Sequence, residues 1–455
     1  MGGTTVKFSL ADYQQGLASG QYAAPTAYRP FMRVNHAQYQ RLEHEHKNNK
    51  NDVAKAFREL RRRVTGDYYW KTYPLQAKAL DYSQMSFPAY RFILPEVLVD
   101  DWLAIVDWHT FHRDHVLHQP LTAYIVQKLL DEAGSPDESF HLSDGRHLLD
   151  VCVDEILKWD KTSYLREFLL GIGVQETEAW LNNSYAGRVL WKSLFLEAAY
   201  LAAVFHDMGY PWQYVHLLSN KLEHAGYHPD SPTSDAEGLI NTFGNRLLFY
   251  PLNGYRTLDR NAPSTWHQRL TSLTAQTLRK THGLPGAIGF LYLNDVIRDY
   301  PSDRTHPIRQ FCVEWAAMAI MMHDMCKIYW GDKTSTPPDN VHMRLHFDTD
   351  PLSCVLTLAD VLQDFSRPSV AFQDNTTSVA ISYHDGCDST RLALDWGNPT
   401  RAMEIAYSFT DPVQYATKCT FLPSECLDIF DPNNGYMDFS SLGITGVEMK
   451  AEFTP

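Results

Sequence analysis

Apolar residues recur three and four positions apart through the middle of the chain. The pattern is plain in Leu121-Tyr124-Ile125-Leu129, in Leu194-Ala198-Leu201-Phe205 and in Trp315-Met318-Met322. That spacing places one apolar stripe on each of a series of helices. Polar stretches rich in turn residues separate them, notably 133–144 and 223–237. The pattern changes after Pro368, where Ser378–Tyr383 and Thr390–Trp396 alternate polar and apolar residues around the turn-forming Asp385-Gly386-Cys387-Asp388. The expected fold is therefore mainly α, with a small C-terminal β-hairpin or sheet appended. Its expected parts are a polar, helical or irregular extension over 1–95, a helical body over 96–367, and a β-containing segment over 368–455.

Composition narrows the function classes. The content is 44% hydrophobic and 21% charged, that of a folded globular chain, and no internal repeat is visible. A net charge of −14 argues against an extended nucleic-acid groove, because backbone binding requires clustered Lys and Arg. The basic stretch 52–65, with Lys55, Arg58 and Arg61–Arg63, reads as a solvated helix face. The longest strongly apolar run, Leu194–Phe205, contains Glu197 and has about half the length of a bilayer span, so no membrane partner is expected. The first residues lack the basic start and apolar core of a signal peptide, and Val6 breaks a myristoylation pattern; the expected location is cytoplasmic. Seven scattered cysteines without a C-x-x-C pair argue against a cysteine zinc cluster and a disulfide framework, and Cys152, Cys312 and Cys354 read as core packing.

Candidate chemistry gathers where polar residues interrupt the apolar stripes. The helix Leu201–Phe205 runs into His206-Asp207, and Gly209 and Pro211 mark its end. His118 precedes Pro120 at the entry of the helix that continues to Leu130. His282 opens an apolar stretch, His323 ends the helix containing Met318 and Met322, and Asp360 stands in Leu356-Thr-Leu-Ala-Asp360. Each such residue is costly to bury alone, and a shared metal ion would satisfy them together. No serine nucleophile elbow and no phosphate-binding P-loop is present.

The order His118, His206-Asp207, His282, His323, Asp360 resembles the H…HD…H…H…D pattern of the HD superfamily of metal-dependent phosphohydrolases. The text around the ligands adds to the likeness: Asp114-His115-Val-Leu-His118, Ala203-Val-Phe-His206-Asp207-Met-Gly, and Pro351-Leu through Leu358-Ala-Asp360 to Gln363-Asp364. It covers about residues 110–367. The resemblance implies a helical core holding two divalent ions drawn from Mn, Fe, Mg, Co, Ni and Zn. His118, His206, Asp207 and Asp360 would bind one, Asp207, His282 and His323 the other, and Asp207 would bridge them. A hydroxide between the ions would attack a phosphate ester or anhydride in a nucleotide or other small phosphorylated molecule. A branch of the superfamily uses the same ligands for di-iron oxygen chemistry, and a nucleotide-binding sensory or scaffold module is a third reading.

The chain departs from the family pattern in particular places. An 88-residue step separates positions 118 and 206, so helices must be inserted over about 133–191. His115 competes with His118 for the first ligand position; His118 is preferred because the helix runs on from it. Tyr210 stands where many relatives carry Lys, which sets aside direct transfer of their substrate contacts. Asp207, Lys327 and His115 are the candidate catalytic groups: Lys327 lies one helical turn past His323, and His115 and Arg113 flank the first ligand, with Arg367 after the last helix. Asp324 is read as a partner for a ligand histidine, as an acid, or as a helix cap. The sequence leaves oligomeric state open, a homo-oligomer included.

Overall fold

The computed structural model describes residues 5–19, 115–131, 140–142, 145–158, 185–207, 209–210, 281–298, 307–327, 329–330, 341–342, 344–365, 376–385, 401–431, 435–444 and 446–454. The elements in chain order are β1 (Thr5–Ser9), α1 (Leu10–Ser19), α2 (His115–Leu129), α3 (Leu148–Lys158), α4 (Tyr185–Phe205), α5 (Gly283–Arg298) and α6 (Pro307–Met325). There follow the short strands β2 (Tyr329–Trp330), β3 (Val341–His342) and β4 (Leu345–His346), then α7 (Pro351–Leu362), β5 (Thr376–Asp385), β6 (Arg401–Phe409), α8 (Pro412–Phe430), β7 (Met437–Asp438) and β8 (Gly446–Phe453).

The described structure is helix-rich with a small sheet. Helices α2, α4, α6 and α7 pack on one another, α5 lies on α6, and α3 rests on α4 and α7. The interior is apolar and aromatic: Trp191 of α4 meets Trp315 of α6 edge to face with ring centroids 6.0 Å apart, and Phe195 packs against the same indole at 5.6 Å. α7 is buried along nearly its whole length. Such a helix must lie inside the bundle rather than on it. The expected insertion between 133 and 191 contains α3; its remaining residues to 184, apart from those around the His141–His147 bridge, lie outside the described residues.

The sheet is four-stranded in the order β1-β5-β6-β8. β1 and β6 flank β5 antiparallel, with Val6 opposite Ile381 and Ile381 opposite Ile405. β8 joins β6 in parallel, which requires a crossover, and α8 supplies it. Asp411 caps α8 by accepting from the Val413 and Gln414 N–H groups, with Pro412 in its first turn. Two features differ from the sequence expectation. The described partner of Ser378–Tyr383 is Arg401–Phe409, while Thr390–Trp396 lies outside the described residues. The N-terminal segment also contributes an edge strand to this sheet, with Val6 and Phe8 buried.

One continuous apolar core runs from the helices into the sheet. Phe8 and Tyr13 pack on Tyr124 of α2, and Lys128 of α2 donates to the Lys7 carbonyl at 2.7 Å and pairs with Asp12. A second link is β4, which pairs with β7 in parallel. No helix among the described residues is long and apolar enough to cross a membrane. The described cysteines are all free, and all but Cys419 are buried. The basic stretch 52–65, Arg113 and Arg367 fall outside the described residues.

Candidate metal centre

Six side chains from five parts of the chain converge at one end of the bundle. His118 comes from the first turn of α2, His206 and Asp207 from the turn that ends α4, His282 from the residue before α5, His323 from the last turn of α6, and Asp360 from the last turn of α7. All six are buried. The turn that carries His206-Asp207 sits directly on the start of α5, and glycine makes this approach feasible: a Cβ on Gly209 would lie 1.8 Å from the His282 carbonyl oxygen. Gly283 does the same for the approach of α5 to α6, where a Cβ would lie 2.8 Å from the Ile320 carbonyl oxygen.

Asp207 stands between two sets of imidazoles. Its Oδ2 is 3.2 Å from His118 Nε2; its Oδ1 is 3.1 Å from His282 Nε2, 3.3 Å from His206 Nε2 and 3.9 Å from His323 Nε2. His118, His206 and Asp207 form one group of potential ligands, and Asp207, His282 and His323 a second. Asp360 adds its Oδ1 to the first, 3.0 Å from His118 Nε2 and 3.8 Å from His206 Nε2. Within each group the paired imidazoles are in close contact: 3.1 Å separates the Nε2 atoms of His118 and His206, and 3.1 Å those of His282 and His323.

The outer ring nitrogens explain why those contacts matter. Each Nδ1 faces an oxygen acceptor: Gln363 Oε1 for His118, the Ala203 carbonyl for His206 at 2.8 Å, Asp324 Oδ2 for His282 at 3.0 Å, and the Ile320 carbonyl for His323 at 2.6 Å. The Gln363 amide is oriented in turn, because its Nε2 donates to the Phe365 carbonyl at 3.0 Å. With every Nδ1 proton directed outward, a neutral imidazole presents its Nε2 lone pair inward. Four lone pairs and two carboxylates then face one another, an arrangement of acceptors that could take up cations between them. Tetrahedral or octahedral ions bound by nitrogen and oxygen suit that donor set.

The electrostatics agree. Burial pushes His323 down to about 3, assisted by His282, His206 and Lys327, so it stays in the neutral, metal-binding form. Burial also opposes charge on His206, but the Asp207 and Asp360 carboxylates outweigh it and raise its pKa. Asp360 is held well below the usual carboxylate range; burial opposes ionisation, and the Lys327 ammonium together with the bonds from His118 and His206 overcomes it.

The neighbouring residues divide clearly. Lys327 Nζ donates to Asp360 Oδ2 at 2.9 Å and its side chain keeps 29% of its surface exposed, so it stands at the rim of the centre. His115 opens α2 one turn before His118, but its side chain lies outside the described residues. Asp324 faces His282 Nδ1 and accepts from the backbone N–H groups of His282 and Gly283 at the start of α5, so it both orients an imidazole and caps a helix. Tyr210 stacks on His282, with ring centroids 3.9 Å apart and planes 13° from parallel. Tyr436, which no sequence feature singled out, lies within electrostatic reach of Lys327 and Asp360 from the far end of the chain. Gln363 is legible in retrospect, three residues beyond Asp360 and therefore on the same helix face.

The buried His and Asp side chains here thus form a cluster that could hold metal ions, compatible with an HD-like site. Comparison of the chain with family models, curated proteins and solved structures finds no match, and the geometry of the centre stands as the basis for any functional reading.

Proposed function

We propose that the chain is a metal-dependent phosphohydrolase with an HD-type dinuclear centre, acting on a phosphate ester or anhydride of a nucleotide or other small phosphorylated molecule. The observation that carries this reading is Asp207: one buried carboxylate has imidazole Nε2 atoms of both groups around it, His118 on Oδ2 and His206, His282 and His323 on Oδ1. His118, His206, Asp207 and Asp360 would hold one ion, and Asp207, His282 and His323 the other. When bound, two divalent ions lower the pKa of water and offset charge that develops on phosphoryl oxygens.

The protein's own groups supply orientation and charge. Gln363, Ala203, Asp324 and Ile320 fix the four imidazoles so that the Nε2 atoms need no reorientation. Lys327, at the rim, offers its ammonium to a phosphate oxygen while still pairing with Asp360. The stacked Tyr210 ring holds the His282 imidazole in its plane.

The test is release of inorganic phosphate from a panel of nucleotides and small phosphate esters in the presence of Mn, Mg, Co or Ni, with Asp207→Asn beside the wild type. The expected result is metal-dependent release that falls at least about a hundredfold in the variant. Oxygen consumption by the iron-loaded protein with no phosphate release would replace this reading with the di-iron oxygenase. Full activity in Asp207→Asn would overturn the dinuclear mechanism.

A further inference from the structure

Among the described residues, the exposed large hydrophobic side chains gather on α8. Val413, Phe421 and Leu427 belong to this helix, and the fourth, Phe453 of β8, reaches it through Tyr415 with ring centroids 5.9 Å apart. Apolar residues scattered singly over a surface need no explanation, but their confinement to one helix does. The opposite side of α8, with Leu422, Cys426, Ile429 and Phe430, is buried, and the helix packs mainly on β8. It is covered on one side only.

The exposed side has a helical order of its own. Val413, Thr420 and Leu427 recur at the heptad interval, and Ala416 and Pro423 fall between them, so the five form one stripe along the helix. All five are exposed and none is charged. The Thr420 hydroxyl donates to the Thr417 carbonyl at 2.7 Å, and the Thr417 hydroxyl beside the stripe donates to the Val413 carbonyl at 2.8 Å. Both hydroxyls therefore spend their protons on the helix's own backbone, and the stripe can lose its water without stranding a donor. Lys418 is held by Asp364 at 2.7 Å and pairs with Glu425 at 3.6 Å, which leaves Asp428 as the charged residue of the exposed face.

We propose that this stripe is the contact between two copies of the chain, paired antiparallel through α8 about a twofold axis at Thr420. The charge pattern selects the occupant. A helix that lies on a membrane surface carries Lys and Arg on its polar face, whereas the single Lys of α8 is committed to Asp364. A second copy matches the stripe residue for residue: Val413 and Leu427 stand seven residues to either side of Thr420, so the twofold lays each Val413 on the Leu427 of the other copy. Antiparallel order also keeps the two Asp428 carboxylates about 24 Å apart along the helices, where a parallel pair would set them side by side. Depletion of charge at the centre is the compositional mark of a protein interface. Phe421 and Phe453, at 60% and 43% exposure, supply roughly 200 Å² of the ~800 Å² that each side of a standard interface buries. The ten other exposed residues of α8 extend that area to the small end of the range, so the dimer forms at micromolar concentrations. No metal ligand takes part, and the proposal stands or falls independently of the phosphohydrolase reading.

Sedimentation equilibrium of the full chain over a series of micromolar concentrations reads the mass directly. The wild type is expected to pass from monomer to dimer as concentration rises. Thr420→Arg sets two like charges on the axis and is expected to remain monomeric while keeping its helical circular dichroism, since the site is exposed and Arg suits a helix. Crosslinking reads the register in a Cys419→Ser background: Thr420→Cys should form a disulfide between copies on oxidation, and so should a mixture of Val413→Cys with Leu427→Cys, while Val413→Cys alone should not. A wild type that stays monomeric throughout would overturn the proposal, including one that binds anionic vesicles instead. A dimer that survives Thr420→Arg, or one that links Val413→Cys to itself, would do the same.

Discussion

At the scale of single residues, the centre is defined by what the histidines do with their outer nitrogens. The two carbonyls, one amide and one carboxylate that face the Nδ1 atoms turn all four Nε2 atoms inward, and Asp207 belongs to both groups of potential ligands. Loss of one histidine should therefore empty one position. His282→Ala is expected to retain about one divalent ion of two by elemental analysis, whereas retention of both would contradict the assignment. The raised pKa of His206 adds a pH dependence: a proton competes with a metal ion for its Nε2 up to a higher pH than at an ordinary histidine. Titration calorimetry in two buffers of different ionisation heat should show proton release and affinity that weakens as pH falls. Gly209→Ala should destabilise the fold by about 2–3 kcal/mol in denaturant melts, because its Cβ would collide with the His282 backbone.

That these histidines and aspartates cluster was readable from the sequence, because such residues inside apolar stripes demand a reason. Their acceptors were less so: Ala203 and Ile320 act through backbone carbonyls, which carry no letter of their own. Tyr436 was illegible for a different reason. It reaches Lys327 only because β7 pairs with β4 across a long stretch of chain, and no local pattern encodes that pairing.

At the scale of elements, periodicity located α2, α4 and α6, and a single stripe of apolar residues is enough for that. Strand partnership was harder, since alternation marks a strand without naming its neighbour; the pairing of β5 with β6 and with the N-terminal β1 rests on contacts remote in sequence. The β4–β7 junction offers a test of its own. Asp438 accepts from His346 Nδ1 at 3.1 Å and from the Ser440 N–H at 2.8 Å, with Arg344 nearby. Burial opposes its ionisation, but these partners prevail and depress its pKa. A depressed carboxylate stabilises the fold above its unfolded value near 3.8, and the contribution is lost as pH falls toward the lower folded value. Asp438→Asn should thus lower stability at pH 7 by about 1–3 kcal/mol and flatten the decline below pH 4. Equal acid sensitivity in both proteins would show that Asp438 does not anchor the junction.

At the scale of the whole molecule, the sheet and the metal centre share α2. The N-terminal strand closes one edge of the sheet, and Phe8 and Tyr13 pack on Tyr124, less than two turns beyond His118. The sheet is therefore part of the support of the first ligand position and continuous with the helical core. Phe8→Ala should cost about 3–5 kcal/mol in stability and weaken metal retention at the His118 side. Unchanged melting would mean that the strand is not docked on α2.

The central claim is that Asp207 joins two metal positions in one site, and metal content tests it most directly. Protein purified without chelator, and reloaded with Mn, Fe or Co, should carry about two equivalents by elemental analysis, and Asp207→Ala should lose both. No metal in the wild type and no stabilisation on adding these ions would contradict the account, as would two equivalents retained in Asp207→Ala.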